Sequence, residues 1–278
     1  MFYDLHIHTT VSDGTLSPEQ AVDFAINQGL AGIAITDHDT VGGIDLARRY
    51  IELNSFSFTF IPGVELNTEK NGMEIHILGY FVDPHYSLLE EKLRNIREAR
   101  LVRGQQMVDK LINMGFKITL DQVKELASGG VIGRPHIAMA LKRNGYVNSI
   151  TEAFDRYLGK GRPAYVPRYK FVPEEAIELI KKAGGISILA HPGLIGSLAD
   201  INHIIDMGVE GIEVFYPEHD PAQTRYFLEL SYSRQLLVTG GSDFHGPGNG
   251  EMKNCMGHSG INEKHMQHLM DYYKCHKQ

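Results

Sequence analysis

Short apolar runs that alternate with helical segments dominate this chain, and most of the runs end near a histidine or an acidic residue. Seven runs are strand-like in length and composition: residues 2–8, 30–36, 56–64, 73–81, 185–190, 209–215 and 236–239. Strands that alternate with helices form parallel α/β sheets, which present functional groups at the carboxyl ends of their strands. The pattern therefore predicts a barrel-like α/β architecture with a site at the strand ends.

The first run carries His6 and His8, which are spaced two residues apart. On a strand this spacing points both imidazoles to the same side of the sheet. Asp13 follows a turn later, so the stretch can begin a metal site. Taken alone, the same residues equally describe an N-terminal strand with two solvated histidines.

Later strand ends add more potential metal ligands, and these are His38, Glu65, His76, His191, Asp243 and His245. The complete set has six histidines and three carboxylates, which is too many for one tetrahedral ion. It suits two or three adjacent divalent ions, with Glu65 as a bridging ligand. Mixed histidine and carboxylate ligands favour Mn²⁺, Fe²⁺ or Zn²⁺ over Mg²⁺ or Ca²⁺.

Residues 87–165 show helical periodicity without strands. A long periodic stretch comes first, and shorter helices are predicted at 120–127, 135–143 and 150–157. A block of this length can form a small inserted helical domain. We therefore predict a barrel built from residues 1–86 and 166–278, with residues 87–165 as the insertion.

The insertion also carries basic residues that suit phosphate groups. Arginine binds phosphate in a bidentate manner and lysine acts as a point charge. We predict that Arg134, His136, Lys160 and Arg162 bind the substrate, that Arg134 and Lys160 also assist catalysis, and that Arg168 is a further candidate. The alternative is that these residues are solvated surface cations.

His219 follows the strand-like run 209–215, and we predict that it binds the substrate or acts as the general acid. The alternative is an exposed loop histidine. Asp37 and Asp39 flank His38 and are predicted to orient metal ligands. Glu213 lies within its run, where it can orient a ligand or satisfy a buried polar contact.

Composition limits the class of partner. The net charge of −7 argues against a surface for long nucleic acids, although a local basic pocket remains possible. No apolar run reaches the roughly eighteen residues that a membrane helix needs. The first residues lack a basic leader, and the two cysteines lie near the C-terminal end and give no disulfide framework. A cytoplasmic protein is the simplest expectation.

Taken together, the motifs resemble those of the PHP family (polymerase and histidinol phosphatase), in order along nearly the whole chain. They are Asp4-Leu5-His6-Ile7-His8, Ser12-Asp13-Gly14, Thr36-Asp37-His38-Asp39, Gly63-Val64-Glu65, His76, Ala190-His191-Pro192 and Ser242-Asp243-Phe244-His245. The resemblance implies a distorted (β/α)7 barrel with a trinuclear metal centre. It also implies a stand-alone phosphoesterase that acts on 3′,5′-bisphosphonucleotides or short 5′-phosphorylated oligonucleotides.

Two alternatives stay open from the sequence. One is a histidinol-phosphate phosphatase, which the family name suggests and which only the shape of the pocket can decide. The other is a non-catalytic module of the kind attached to polymerases when metal ligands are lost. Because all nine ligand positions carry competent residues, the sequence favours an enzyme in which metal ions acidify a bridging water.

Overall fold

A computed structural model describes residues 1–127, 131–247 and 255–276. Its strands form one eight-stranded sheet in the order β7-β6-β5-β4-β3-β2-β1-β8. The strands are β1 (Phe2–Ile7), β2 (Gly32–Ile35), β3 (Thr59–Lys70), β4 (Met73–Tyr80), β5 (Ile186–Leu189), β6 (Gly211–Phe215), β7 (Leu237–Gly240) and β8 (Ile261–Asn262). The seven predicted strands all occur, and β8 is an additional short strand that pairs antiparallel with β1.

The two sides of the sheet approach each other and nearly close a barrel. The backbone N–H of His8 donates to the carbonyl of Phe244 at 2.8 Å, and the N–H of Phe244 donates to the carbonyl of His6 at 3.3 Å. The segment after β7 is thereby attached to β1 from the opposite edge. The predicted distorted α/β barrel is confirmed.

Helices alternate with these strands, and others form the insertion. They are α1 (Pro18–Asn27), α2 (Ile44–Leu53), α3 (Ser87–Asn113), α4 (Leu120–Leu126), α5 (Arg134–Arg143), α6 (Ile150–Ala153), α7 (Pro173–Lys182), α8 (Leu198–Asp206), α9 (Pro221–Ser233) and α10 (Glu263–His276). We did not predict α2 from the sequence, although its buried residues Ile44, Ala47 and Ile51 recur at helical spacing. Within the described residues, no helix is both long and apolar enough to cross a membrane.

The expectation of a parallel sheet does not hold at β4. This strand runs antiparallel to both β3 and β5. Asn71 and Gly72 connect β3 to β4 with φ values of 54° and 76°, the positive values that a tight hairpin turn requires. Consequently His76 lies in the middle of its strand, while the other predicted ligands lie at strand ends, in the turns that follow them, or in β1 and β3.

The long helix α3 passes from one hydrophobic core into another. Leu89 and Leu93 pack into a core that the barrel strands and α7 share. Met107 and Leu111, further along the helix, belong to a separate core formed with the shorter helices of the insertion. The predicted division at residue 87 stays a prediction, with α3 connecting the two cores.

Candidate metal centre

All nine predicted metal ligands lie together at one end of the barrel. Eight of them fall into three overlapping groups whose ligand atoms lie within 4.8 Å of one another. The groups are His8, Asp13, His38 and His245; His6, His8, Glu65 and Asp243; and His38, Glu65 and His76. The ninth, His191, places Nε2 3.2 Å from Oε1 of Glu65. Because the groups share members, the arrangement suits adjacent ions.

Glu65 occupies the centre of the cluster and is fully buried. Its Oε2 lies 2.7 Å from Nδ1 of His38 and 3.3 Å from Nε2 of His8. Its Oε1 lies 2.8 Å from Nδ1 of His76. Both carboxylate oxygens therefore face histidine nitrogens, which is the geometry that a bridging carboxylate needs.

The chemistry of the buried atoms fits divalent metal ions. Several of these atoms lie near oppositely charged groups but make no well-aligned hydrogen bond among the described residues: His6 Nε2, His8 Nδ1, His8 Nε2, Asp13 Oδ1 and Glu65 Oε2. Buried polar atoms without partners are costly, and native proteins rarely keep them. Metal ions would satisfy these nitrogens and oxygens together, so the residues can hold a metal cluster.

Protons balance the charges of the cluster in its metal-free form. Burial alone would lower the pKa of His76 and His245, but neighbouring carboxylates raise the pKa of both to about 10. Burial alone would raise the pKa of Glu65, but the charges of His38, His76 and His6 hold it well below its usual value. Since metal ligation requires deprotonated histidines, bound cations would displace these protons.

Glu213 orients two of the ligands from strand β6. Its Oε1 lies 3.0 Å from Nδ1 of His6, and its Oε2 accepts from the backbone N–H of His191 at 2.7 Å.

The two aspartates that flank His38 accept hydrogen bonds from neighbouring segments. Asp37 accepts from the backbone N–H and the hydroxyl of Thr9. Asp39 accepts from the guanidinium of Arg100 and from the backbone N–H and side-chain amide of Asn67.

Sequence reasoning missed two supports of the cluster. Tyr216 donates its hydroxyl to Oδ2 of Asp243 at 3.1 Å, which leaves Oδ1 facing the histidines. Asp4 is fully buried and accepts from the backbone and hydroxyl of Ser242 at 2.9 and 2.6 Å. Burial raises the pKa of Asp4 to about 6 despite these bonds. A carboxylate within an apolar strand was the available signal.

A rim of arginines adjoins the cluster through Glu74. Nε2 of His76 lies 3.1 Å from Oε1 of Glu74, and the guanidinium of Arg134 lies 3.2 Å from Oε2. Arg168 also contacts Glu74. Burial lowers the pKa of Arg103 to about 10, together with the positive charges of Arg134, Arg168 and a third arginine, Arg100. These guanidinium groups therefore lie close enough together to repel one another.

The third arginine is Arg100, which donates to Asp39 from helix α3. We call Arg100, Arg103, Arg134 and Arg168 the arginine rim. Arg100 and Arg103 were missed because they resemble ordinary surface residues of a helix. Their spacing of three residues, which places both on one helix face, was the signal that could have identified them.

The remaining predicted substrate residues lie in other surroundings. Lys160 donates to the carbonyl of Gly72 at 2.7 Å, at the tip of the β3–β4 hairpin. Gly72 precedes His76 by four residues, which is roughly 13 Å of extended strand. Arg162 is exposed. His136 is buried and its Nδ1 accepts from the N–H of Gly133 at 3.0 Å. Their contact with substrate stays a prediction.

His219 is buried next to the cluster, and both of its ring nitrogens have backbone partners. Nδ1 lies 2.9 Å from the carbonyl of Val214, and Nε2 lies 3.0 Å from the N–H of Gly193. Burial lowers the pKa of His219. The alternative of an exposed loop histidine is therefore wrong, and the role as a general acid stays untested.

The barrel and its cluster of histidines and carboxylates match a family that includes metal-dependent phosphoesterases. The PHP domain matches residues 4–218. The 5′-3′ exoribonuclease Rnm of Escherichia coli (strain K12) is 35% identical over 252 residues, covering 89% of this chain and 86% of that protein. The 3′,5′-nucleoside bisphosphate phosphatase of Chromobacterium violaceum is 34% identical over 253 residues, covering 89% of this chain and 88% of that protein.

A solved structure agrees with these relatives. A candidate metal-dependent phosphoesterase from Bifidobacterium adolescentis has a TM-score of 0.86 at 32% identity, covering 97% of this chain and 95% of that chain. The chain therefore belongs to the PHP family, as its motifs predicted, and it is an enzyme of the phosphoesterase class.

Proposed function

We propose that this enzyme hydrolyses one phosphate ester of nucleotides that carry a second phosphate, either the monoester of 3′,5′-bisphosphonucleotides or the phosphodiester of short 5′-phosphorylated oligonucleotides. The observation that carries the proposal is the adjacency of two sites of opposite character. One is the buried cluster of nine potential metal ligands, and the other is the arginine rim. Glu74 contacts both, since it touches His76 on one side and Arg134 and Arg168 on the other.

The nine ligands would hold two or three divalent ions, with Mn²⁺ as the first choice and Fe²⁺ or Zn²⁺ as alternatives. When bound, such ions supply an activated water and polarise a phosphoryl oxygen. Glu65 would bridge ions because both of its oxygens face ligand histidines. Glu213 and Tyr216 would keep His6 and Asp243 in place from outside the cluster.

The arginine rim would bind the phosphate that does not react. Arg134 and Arg168 already hold an anionic group, the carboxylate of Glu74, so a phosphate oxygen meets the same donors. Arg103 contributes a further guanidinium, whose pKa is lowered by burial and then by the positive charges of the other rim arginines. A substrate held at both ends is aligned for reaction, so a second phosphate raises kcat as well as affinity.

The relatives support a substrate of this kind. One is named as an exoribonuclease and another as a nucleoside bisphosphate phosphatase. Both names describe enzymes that act on phosphate esters of nucleosides. Histidinol phosphate fits the rim less well. It has one phosphate and a cationic amine, and guanidinium groups next to the cluster would repel that amine.

The test is a comparison of kcat/KM for Mn²⁺-loaded protein. The substrates are adenosine 3′,5′-bisphosphate, its 3′- and 5′-monophosphates, a short 5′-phosphorylated RNA and histidinol phosphate. We expect the bisphosphate or the RNA to exceed both monophosphates by about tenfold or more, the effect of one charge-assisted phosphate contact. Equal values for mono- and bisphosphates would contradict the proposal, and a preference for histidinol phosphate would establish the alternative.

A further inference from the structure

We infer that His219 is a positioning residue whose neutral imidazole holds the turn that presents His191 to the metal centre, and that it does not protonate the leaving group. Its kinetic readouts rest on the proposed function, whereas its metal-binding readout does not.

The hydrogen bonds of the ring determine its tautomer. The carbonyl of Val214 can only accept, so Nδ1 of His219 carries the proton. The N–H of Gly193 can only donate, so Nε2 offers its lone pair. A general acid needs a proton on a nitrogen that faces the substrate. In this arrangement neither nitrogen of His219 meets that requirement.

The segment that His219 contacts begins with a strained ligand. His191 has φ 26° and ψ 59°, in the left-handed region that non-glycine residues rarely adopt. A short 3₁₀ turn, Pro192–Ile195, follows at once. Such a conformation persists only when surrounding contacts enforce it.

Two contacts enforce it from β6 and the loop that follows. Glu213 accepts from the N–H of His191 at 2.7 Å, and His219 accepts from the N–H of Gly193 two residues later. The ring of His219 is packed so closely that a Cβ on Gly193 would lie 2.6 Å from its Cδ2. Glu213 also contacts His6, so His219 is the cleaner probe of the turn.

Two substitutions separate the hydrogen bonds of the ring. His219→Gln can place an amide oxygen near the position of Nε2 and keep an acceptor for Gly193. His219→Asn keeps a donor for Val214 but is too short to reach Gly193. His203→Asn, on the exposed side of α8, is the matched control. Thermal unfolding and circular dichroism establish that each variant folds.

Titration of the metal-free proteins with Mn²⁺ is the first readout. We expect His219→Asn to weaken the affinity of one ion about ten- to a hundredfold, as loss of an orienting partner does. His219→Gln should stay within about threefold of the unsubstituted protein, and His203→Asn should be unchanged. Equal affinities in the Asn and Gln variants, whether both normal or both weakened, would overturn the inference.

Leaving-group dependence is the second readout. A positioning role predicts that His219→Asn loses the same factor on 4-nitrophenyl phosphate as on a nucleotide, and that excess Mn²⁺ restores both. A general acid predicts loss in both variants on the nucleotide alone, with normal Mn²⁺ affinity, and that result would overturn the inference. If the unsubstituted enzyme hydrolysed neither ester, the proposed function would fail while the Mn²⁺ titration still decided the role of His219.

Discussion

The metal-ligand cluster and the arginine rim hold their charges in different ways. At the centre of the cluster the side chains of His6, His8 and Glu65 are at most 1% exposed, and opposite charges alternate at short distances, whereas outer members such as His245, at 34%, are exposed as the rim is. In the rim, Arg134 and Arg168 keep 20% and 15% of their side chains exposed. The cluster is built on strands and the turns that follow them, whereas the rim comes from helices of the insertion and the segment that returns to the barrel.

This difference reflects what each region must do. Charges that activate a reaction need fixed positions in a dry site, where electrostatic interactions are strong. Charges that bind one end of a substrate must exchange partners with solvent or ligand. Arg134 and Arg168 bind a carboxylate that a phosphate can replace, so the rim can select substrates without disturbing the cluster.

The largest expected effect comes from Glu65→Gln, which tests whether the cluster is one unit. The amide removes a charge that faces five histidines: His6, His8, His38, His76 and His191. We expect loss of more than one ion per chain and a fall in kcat/KM of at least about a hundredfold. Elemental analysis measures the ions, with Glu69→Gln on the same strand as control. Loss of a single ion would show that Glu65 does not bridge.

The second prediction concerns pH and the metal-free cluster. The folded pKa of His76 and His245 is about 10, above the usual 6.5, so their protonation stabilises the metal-free fold fully below about pH 6.5. That stability is lost as pH rises toward 10. Because metal displaces these protons, Mn²⁺ affinity should rise about tenfold per pH unit for each proton released. Calorimetry in two buffers of different ionisation enthalpy counts the protons, and no release between pH 7 and 9 would contradict this account.

The arginine rim should show a smaller and more selective effect. Arg134→Ala and Arg168→Ala each remove a charge-assisted bond, which is worth roughly 1.5–3 kcal/mol. We expect kcat/KM for the bisphosphate to fall roughly ten- to a hundredfold, while monophosphate hydrolysis and metal content change little. Arg143→Ala, on the exposed end of α5, is the control. Equal losses of kcat/KM on mono- and bisphosphates would show that the rim does not bind the second phosphate separately from the cluster.

Lys160→Ala should have the smallest effect. The lysine donates to the carbonyl of Gly72, so its loss should lower the free energy of unfolding by at most about 1.5 kcal/mol. Thermal unfolding measures this change, and parallel kinetics test whether Lys160 also binds substrate. A fall in kcat/KM as large as that of Arg134→Ala would show that Lys160 also binds the substrate.

The two regions also differ in how well the sequence predicted them. The convergence of the potential metal ligands was predictable because each lies in or just after a strand-like run, and strand ends of a barrel converge. The rim was only partly predictable. Arg134 was identified from its phosphate chemistry, but Arg100 and Arg103 lie in a long helix whose direction relative to the barrel depends on packing. Without that direction, the sequence could not show that Arg134 lies nearer to the metal-ligand cluster than Lys160 does.

Local chemistry in the sequence determined the fold class, the family and the set of potential metal ligands, because these depend on short-range periodicity and on residue types at strand ends. Tertiary structure decided the rest. It made β4 antiparallel to its neighbour β3 and placed Glu74 between His76 and the arginine rim. It also enclosed His219 between two backbone partners. These features depend on contacts between residues far apart in the chain, whose free energies come from burial and charge pairing that no local pattern records.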